Sequence, residues 1–157
     1  MRALLSIAVG LFASNAIAED LDAGLAAVTN HDWDTAIYHL LPLAEDGNRR
    51  AAAELGFIYF AGVQPNDHTN AVRWNRVAAQ YGNQSAQYML GEAFREGWGV
   101  RQDLRAAHVW FNISARYGDV QAASQRDQIS ADLSRYDLSR ALSDALICVE
   151  TDYASCP

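Results

Sequence analysis

Apolar residues form one short continuous run near the N-terminus and, further along the chain, clusters separated by glycine and polar residues. The later clusters show no sustained alternation of apolar and polar positions and no Asn-Gly dipeptide of the kind that closes hairpins, so strands are not predicted. The pattern instead predicts an all-α chain. Helices are expected near residues 20–29, 33–46, 49–61, 68–81, 85–96, 104–117, 120–132 and 135–149.

The central part of the chain repeats itself, with 35 or 36 residues between equivalent positions. Self-similarity at such a period is typical of arrays of two-helix units. We therefore place full repeats at about 49–83 and 84–119, a degenerate unit at 19–48 and a C-terminal capping unit at 120–157. The equivalent positions are Leu55-Gly56, Ala71, Trp74 and Gly82 in the first repeat and Leu90-Gly91, Ala107, Trp110 and Gly118 in the second.

Glycine lies inside the first helix of both repeats, at Gly56 and Gly91. Glycine inside a helix costs about 1 kcal/mol relative to alanine, so its recurrence predicts a close approach of the partner helix. Trp74 and Trp110 are expected to fill the wider part of each helix pair as core residues.

The N-terminus has the layout of a secretory signal peptide. Arg2 precedes the apolar run Leu4–Ala13, and Ala16–Ala18 matches an A-x-A cleavage pattern. The run is shorter than the roughly 20 residues that span a bilayer, and no later stretch is long and apolar enough. We expect a signal peptide at 1–18, cleaved after Ala18, and a periplasmic or secreted protein without a membrane span; an N-terminal buried helix is the alternative.

The second repeat carries the series Leu90-Gly91, Phe94, Gly97, Gly99-Val100, Asp103, Ala107, Trp110, Ala115 and Gly118. With the shorter series of the first repeat, it resembles the Sel1-like repeat, a relative of the tetratricopeptide repeat. The first repeat departs from the pattern between Val63 and Asp67, where a second glycine is missing. The resemblance implies a right-handed superhelical solenoid of antiparallel helix pairs, about four after the signal peptide, with a concave face lined by the first helix of each pair.

The same resemblance implies a function, because members of this family are usually adaptors and exported bacterial members often regulate or scaffold at the envelope. We therefore expect a module that binds a protein partner, whose identity the sequence does not reveal. Aromatic residues and arginine dominate protein interfaces. The concave-face positions carried over from related helical repeats are Arg50, Ala53, Phe57, Phe60, Ser85, Tyr88, Glu92 and Arg95.

Two alternatives to partner binding at this face stay open. Phe60 is equally consistent with burial against the next helix pair, and flanking segments of the chain are an alternative occupant of the concave groove.

The two cysteines, Cys148 and Cys156, lie close together near the end of the chain. In an oxidising compartment such a pair is expected to form a structural disulfide. It would tie the segment 150–157 to the last helix. A redox-active pair is the alternative, which the spacing disfavours because it is not Cys-x-x-Cys.

The chain is acidic, with a formal net charge of −7 at pH 7, and all 12 of its basic residues are arginines. Dispersed arginines on an acidic chain argue against nucleic-acid binding, which needs clustered positive charge. Without lysine there is no Ser-x-x-Lys nucleophile, phosphate-loop lysine or Schiff base. We therefore expect neither enzymatic activity nor a cofactor; the alternative is an envelope hydrolase of the cysteine-rich Sel1-like type that carries a β-lactamase label.

Histidine and aspartate patterns do not predict a metal site. The four histidines, at positions 31, 39, 68 and 108, lack zinc-binding spacing. The acidic residues of 20–34 lack the glycine and terminal glutamate of a calcium loop. A Ser-His-Asp triad assembled from distant positions stays open at this point.

Overall fold

The computed structural model of the protein describes residues 18–62 and 67–157. The predicted signal peptide therefore lies outside the described residues, except for Ala18. Most of the loop in which the first repeat departs from the family pattern lies outside them too. The chain divides into two compact units, Met1–Leu55 and Gly56–Pro157.

All secondary structure in the described residues is helical, which confirms the predicted all-α fold class. Each expected helix is present, with ends within two residues of the predicted bounds. None of these described helices is long and apolar enough to cross a membrane. The helices are α1 (18–29), α2 (Trp33–Glu45), α3 (Arg49–Phe60), α4 (His68–Gln80), α5 (Gln84–Glu96), α6 (Leu104–Arg116), α7 (Val120–Asp132) and α8 (Arg135–Glu150).

Short polar side chains set the helix starts, because they accept hydrogen bonds from N–H groups that have no partner in the first turn. Asp103 Oδ1 accepts from Arg105 N at 2.9 Å and from Ala106 N at 3.0 Å, at the cap position that the sequence predicts. At the end of α5, Gly97 has φ 76°, a left-handed conformation that glycine adopts without steric cost. The other capping side chains are Asp32, Asn48, Asp67, Asn83, Asp119 and Ser134.

Within the first unit, α1 and α2 pack closely. A Cβ atom added at Gly24 would lie 2.6 Å from Leu40 Cδ2, so α1 approaches α2 where its side chain is missing. His39, which stands where the repeats have tryptophan, is half-buried, and its Nδ1 lies 3.2 Å from Asp20 Oδ1. The buried apolar side chains of this unit are Ala27, Ala36, Leu40, Leu43, Ala44, Ala51, Ala52 and Leu55.

In the second unit, helices that follow each other in the chain pack together, α4 on α5, α5 on α6 and α6 on α7, and α8 returns to pack on α6. Trp74 and Trp110 are both buried, as predicted, with exposures of 2% and 1%. They belong to a core that runs through both repeats. Its largest fully buried apolar members, besides Trp110, are Phe111, Ile58, Leu90, Ile113 and Val109.

The two predicted close approaches at glycine are both present. A Cβ atom added at Gly91 would lie 2.6 Å from Phe111 Cδ1, and one added at Gly56 would overlap the side chain of Asn75. Each glycine therefore admits a side chain of the partner helix into space that a Cβ atom would occupy. This explains why the cost of glycine inside a helix is accepted at the same place in both repeats.

Candidate functional site

The residues predicted to bind a partner lie on α3 and α5. On α3, Arg50 belongs to the first unit and is exposed, whereas Phe57 and Phe60 belong to the second unit. Phe57 is 41% exposed, and Phe60 is half-buried. Of the other positions carried over from related repeats, Ala53 is half-buried and Ser85 is exposed.

Tyr88, Glu92 and Arg95 are spaced four and three residues apart, which places them on one face of α5. We call these three residues the α5 face. Arg95 Nη2 donates a hydrogen bond to Glu92 Oε2 at 2.8 Å, and Arg95 Nε donates to Glu96 Oε1 at 2.8 Å. Arg95 Nη1 also donates to Gln125 Oε1 on α7. The guanidinium thus links two helices, α5 and α7, that each begin a helix pair.

The carboxyl group of Glu92 is unusual for its burial, since the residue is only 9% exposed. Burial raises the pKa of Glu92, and the neighbouring Arg95 offsets part of this rise. Oε2 receives the Arg95 hydrogen bond, and the Tyr88 hydroxyl is the other hydrogen-bonding group beside this carboxylate.

Tyr88 links this polar cluster to the core. Its ring meets the buried Phe111 edge to face, with centroids 5.4 Å apart. Burial, followed by the nearby charge of Glu92, raises the pKa of the Tyr88 hydroxyl. The side chain therefore has one apolar end in the core and one polar end beside Glu92, as amphipathic aromatic residues at interfaces commonly do.

Phe60 belongs to a second aromatic cluster, which no pattern in the sequence predicts. Its ring lies 5.6 Å from that of Trp98, and His68 stacks on Trp98 at 5.4 Å with 13° between the ring planes. Trp98 is 38% exposed. The position after Gly97 is variable in the family pattern, so no repeat signal points to Trp98. Phe60 is thus half-buried, which lies between the exposure needed for partner binding and the full burial that the sequence left open as alternatives.

One serine and one histidine lie within hydrogen-bonding distance of each other, as the nucleophile and base of a hydrolase would. His108 Nε2 lies 3.0 Å from Ser130 Oγ, and Ser130 Oγ also donates to the Arg126 carbonyl oxygen at 2.8 Å. His108 is 1% exposed, and its burial lowers its pKa and favours the neutral ring. Nucleophilic catalysis also needs a third group that orients the base, yet His108 Nδ1 has no partner in the described chain. This pair therefore acts as a contact between α6 and α7.

Cys148 and Cys156 form a disulfide in the structure, with Cα atoms 4.8 Å apart. Cys148 is buried on α8, and Cys156 lies in the segment that follows this helix. Within residues 18–62 and 67–157, no three His, Cys, Asp or Glu side chains lie close enough together to hold a metal ion.

Comparison with known proteins gives a family match over both repeats. The family model of the Sel1 repeat matches residues 49–83 and 84–119. A solved Sel1 repeat protein from Oxalobacter formigenes is 30% identical, with a TM-score of 0.62, over 82% of this chain and 99% of that protein. The likeness confirms the Sel1-like helical solenoid as the fold class.

Two further relatives are longer proteins. A protective antigen of uropathogenic Escherichia coli strains, which displays an SLR fold, has a TM-score of 0.77 at 22% identity, over 88% of this chain and 32% of the antigen. A chitin synthase regulator of Malassezia restricta is 30% identical over 90 residues, which make up 55% of this chain and 6% of the regulator. The chain thus spans a third or less of either relative, and the antigen bears on the fold alone.

Proposed function

Because this chain belongs to the Sel1-like repeat family, whose members are generally protein-interaction scaffolds, we propose that it is an exported scaffold of the bacterial envelope that binds a protein partner. The binding surface is the α5 face, together with the exposed Phe57. The observation that carries this proposal is the hydrogen-bonded cluster of Glu92, Arg95 and Gln125, which fixes the charged groups of α5 against α7, the next helix that begins a helix pair.

The chemistry of the α5 face suits a protein ligand. Tyrosine and arginine are the residue types most often found at interface hot spots. Here Arg95 is held by three acceptors, so little side-chain entropy remains to be lost on binding.

The rest of the predicted surface extends the site beyond α5. Phe57 exposes 41% of its surface, and Arg50 is exposed near the start of the same helix. Phe60 contributes less, because its ring packs against Trp98. Within the second unit we therefore assign the largest share of binding to Tyr88 and Phe57 and a smaller one to Phe60; Arg50, in the first unit, stays a separate predicted contact.

Two features support export. One is the N-terminal series of Arg2, the apolar run Leu4–Ala13 and the Ala16–Ala18 pattern, which is typical of a signal peptide. The other is the disulfide between Cys148 and Cys156, since disulfides persist in oxidising compartments such as the periplasm. N-terminal sequencing of protein recovered from the periplasm should begin at Glu19; recovery of the uncleaved chain from the cytoplasm would contradict export.

Site-specific photo-crosslinking in the native envelope tests the binding surface. A photoreactive residue at Ser85, which is exposed on α5, should give one discrete crosslinked product. The matched control carries the same residue at Ser143, which is exposed on α8. Crosslinks from Ser143 but not from Ser85 would place the partner elsewhere and contradict the proposed surface.

Sel1-repeat proteins are generally non-catalytic scaffolds, and we propose no catalytic activity for this chain. The pairing of His108 with Ser130 is too deeply buried and lacks an orienting group among the described residues. Hydrolysis of a chromogenic β-lactam by the purified exported protein would contradict this part of the proposal.

A further inference from the structure

The segment that follows α8, residues 151–157, folds back onto the second unit; we call it the tail. The chain reverses at Asp152 and Tyr153, whose φ values of 48° and 65° lie in the left-handed region. Residues other than glycine seldom adopt this conformation. Tyr153 N donates to the Cys148 carbonyl oxygen at 2.8 Å, which closes the end of the helix. The tail therefore leaves α8 in a defined direction.

Two contacts hold the middle of the tail against the repeats. The disulfide ties Cys156 to the buried Cys148. The hydroxyl groups of Tyr153 and Tyr117 lie 3.0 Å apart, at the end of α6. Since the disulfide closes a loop of only a few residues, it limits the tail to a small set of positions near α6.

The last tail residue reaches two donors from different repeats. Pro157 O accepts a hydrogen bond from Arg76 Nη1 on α4 at 2.8 Å and another from Trp110 Nε1 on α6 at 3.1 Å. Arg76 also lies over the ring of Phe94, 5.3 Å from its centroid. Arg76 and Trp110 thus both donate to one main-chain oxygen, and Phe94 lies against the guanidinium of Arg76.

The positive charge of Arg76 suits this site to a carboxylate oxygen as well as to a main-chain carbonyl oxygen. Arg76 is half-buried, and the described residues offer it no aspartate or glutamate within ion-pair distance. Burial lowers the pKa of Arg76, and its guanidinium faces the Phe94 ring and Pro157 O rather than a carboxylate side chain. A guanidinium binds carboxylates through charge-assisted hydrogen bonds that are roughly twice as strong as neutral ones.

We propose that Arg76, Trp110 and Phe94 form a site for a peptide carboxylate, and that the tail covers this site through Pro157 O in the oxidised chain. The ligand is a peptide because the present occupant is one, seated by its main-chain oxygen. The site is separate from the α5 face. The disulfide restricts the tail to positions near this site, so its effective concentration there is higher in the oxidised chain than in a chain without the disulfide.

The resonance of the Trp110 indole N–H reports directly on this site. We would record it in the ¹⁵N-labelled full-length exported chain and in a Cys148→Ala/Cys156→Ser variant, and assign it with Trp110→Phe. The titrant is a synthetic peptide with the sequence of residues 151–157, with serine in place of cysteine, carrying either a free carboxylate or an amide at its end. Circular dichroism checks that the variant stays folded; if it does not, the wild-type chain under a dithiol reductant replaces it.

In the oxidised chain neither peptide should move the resonance. In the Cys variant the carboxylate peptide should shift it, and the amide peptide should bind about tenfold or more weakly, since hydrogen bonds to charged groups are the stronger ones. Arg76→Gln in the variant background should abolish this difference. Arg135→Gln, which removes an exposed arginine at the start of α8, should leave it unchanged.

Three results would overturn the proposal or part of it. Equal binding of both peptides would overturn the carboxylate assignment, and no shift with either would overturn the site itself. A shift in the Cys variant that depends on protein concentration without added peptide would identify the tail of a second copy as the ligand and overturn filling by the chain's own tail.

Discussion

The two repeats solve the same packing problem with different chemistry. In the second repeat the space at Gly91 admits the buried aromatic ring of Phe111. In the first repeat the space at Gly56 admits Asn75, which is 1% exposed and whose Nδ2 donates to the Gly56 carbonyl oxygen at 3.3 Å. The glycine thus sets the approach of the helices, while the side chain that enters the space is free to be apolar or polar.

The tryptophans differ in the same way. Both are buried, but Trp74 lies beneath the guanidinium of Arg73, whose Cζ is 4.3 Å from the ring centroid, whereas Trp110 donates to the tail. The repeat therefore dictates the position of each ring and its burial. The contacts of the rings differ, because an arginine of the same repeat lies over the face of Trp74, whereas the tail, outside the two repeats, meets the indole N–H of Trp110.

The largest effect is expected from removing the tryptophan rings. Trp110→Ala should lower the free energy of unfolding by about 3–5 kcal/mol, as buried aromatic residues do. Trp74→Ala should cost slightly less, because only Trp110 also loses a hydrogen bond to Pro157 O. Urea unfolding of both variants measures the difference, and a smaller loss for Trp110→Ala would break this comparison.

Loss of the disulfide should rank second. Replacing Cys148 by alanine and Cys156 by serine should lower stability by about 2–3 kcal/mol, the value expected for closing a short loop. The tail accepts a hydrogen bond from the Trp110 indole N–H. Loss of the disulfide should therefore raise the hydrogen-exchange rate of the Trp110 indole N–H more than that of the Trp74 indole N–H. Two free thiols in the exported wild-type protein would refute the disulfide.

The glycine approaches should show a smaller, coupled effect. Gly91→Ala forces an overlap with Phe111 that costs about 1–3 kcal/mol, of which the better helix propensity of alanine returns up to about 1 kcal/mol. Phe111→Leu should restore part of the loss, and Asn75→Ala should do the same for Gly56→Ala. Double-mutant cycles give the coupling energies; additive losses in both pairs would mean that the glycines are not there for close packing.

The smallest effect concerns Glu92 and depends on pH. Burial raises the pKa of this carboxyl group in the folded chain, so its contribution to stability is fully present below the unfolded pKa and is lost as pH rises through the folded pKa. Glu92→Gln should therefore be more stable than the wild type at neutral pH, and the gain should vanish at acidic pH. Urea unfolding at both pH values checks this, and a loss at neutral pH would show that the ion pair with Arg95 outweighs burial.

Periodic features could be predicted from the sequence, and contacts between distant elements could not. Gly56, Gly91 and the buried tryptophans recur at a fixed spacing, which is itself the evidence for their role. Gln125 and Trp98 carry no such signal, since one lies outside the two full repeats and the other at a variable loop position. They meet Arg95 and Phe60 only once helices far apart in sequence are packed together.

The tail shows the same limit more sharply. The cysteine spacing predicted that residues 150–157 return to the last helix, but not that Pro157 reaches two repeats. The site around Arg76 is built from α4, α5 and α6, and only the fold brings these residues together. On the α5 face, by contrast, the resemblance to related repeats pointed to Tyr88, Glu92 and Arg95, which their helical spacing places on one side of α5.

The central claim, that the α5 face binds a protein, is tested most directly by the affinity of the crosslinked partner for two tyrosine variants. Tyr88→Ala should weaken binding about 30-fold or more, as expected for a hot-spot residue that contributes about 2 kcal/mol. Tyr136→Ala removes an equally large ring that is 67% exposed on α8, and it should leave affinity unchanged. Equal affinities for the two folded variants, or a larger loss for Tyr136→Ala, would contradict the account.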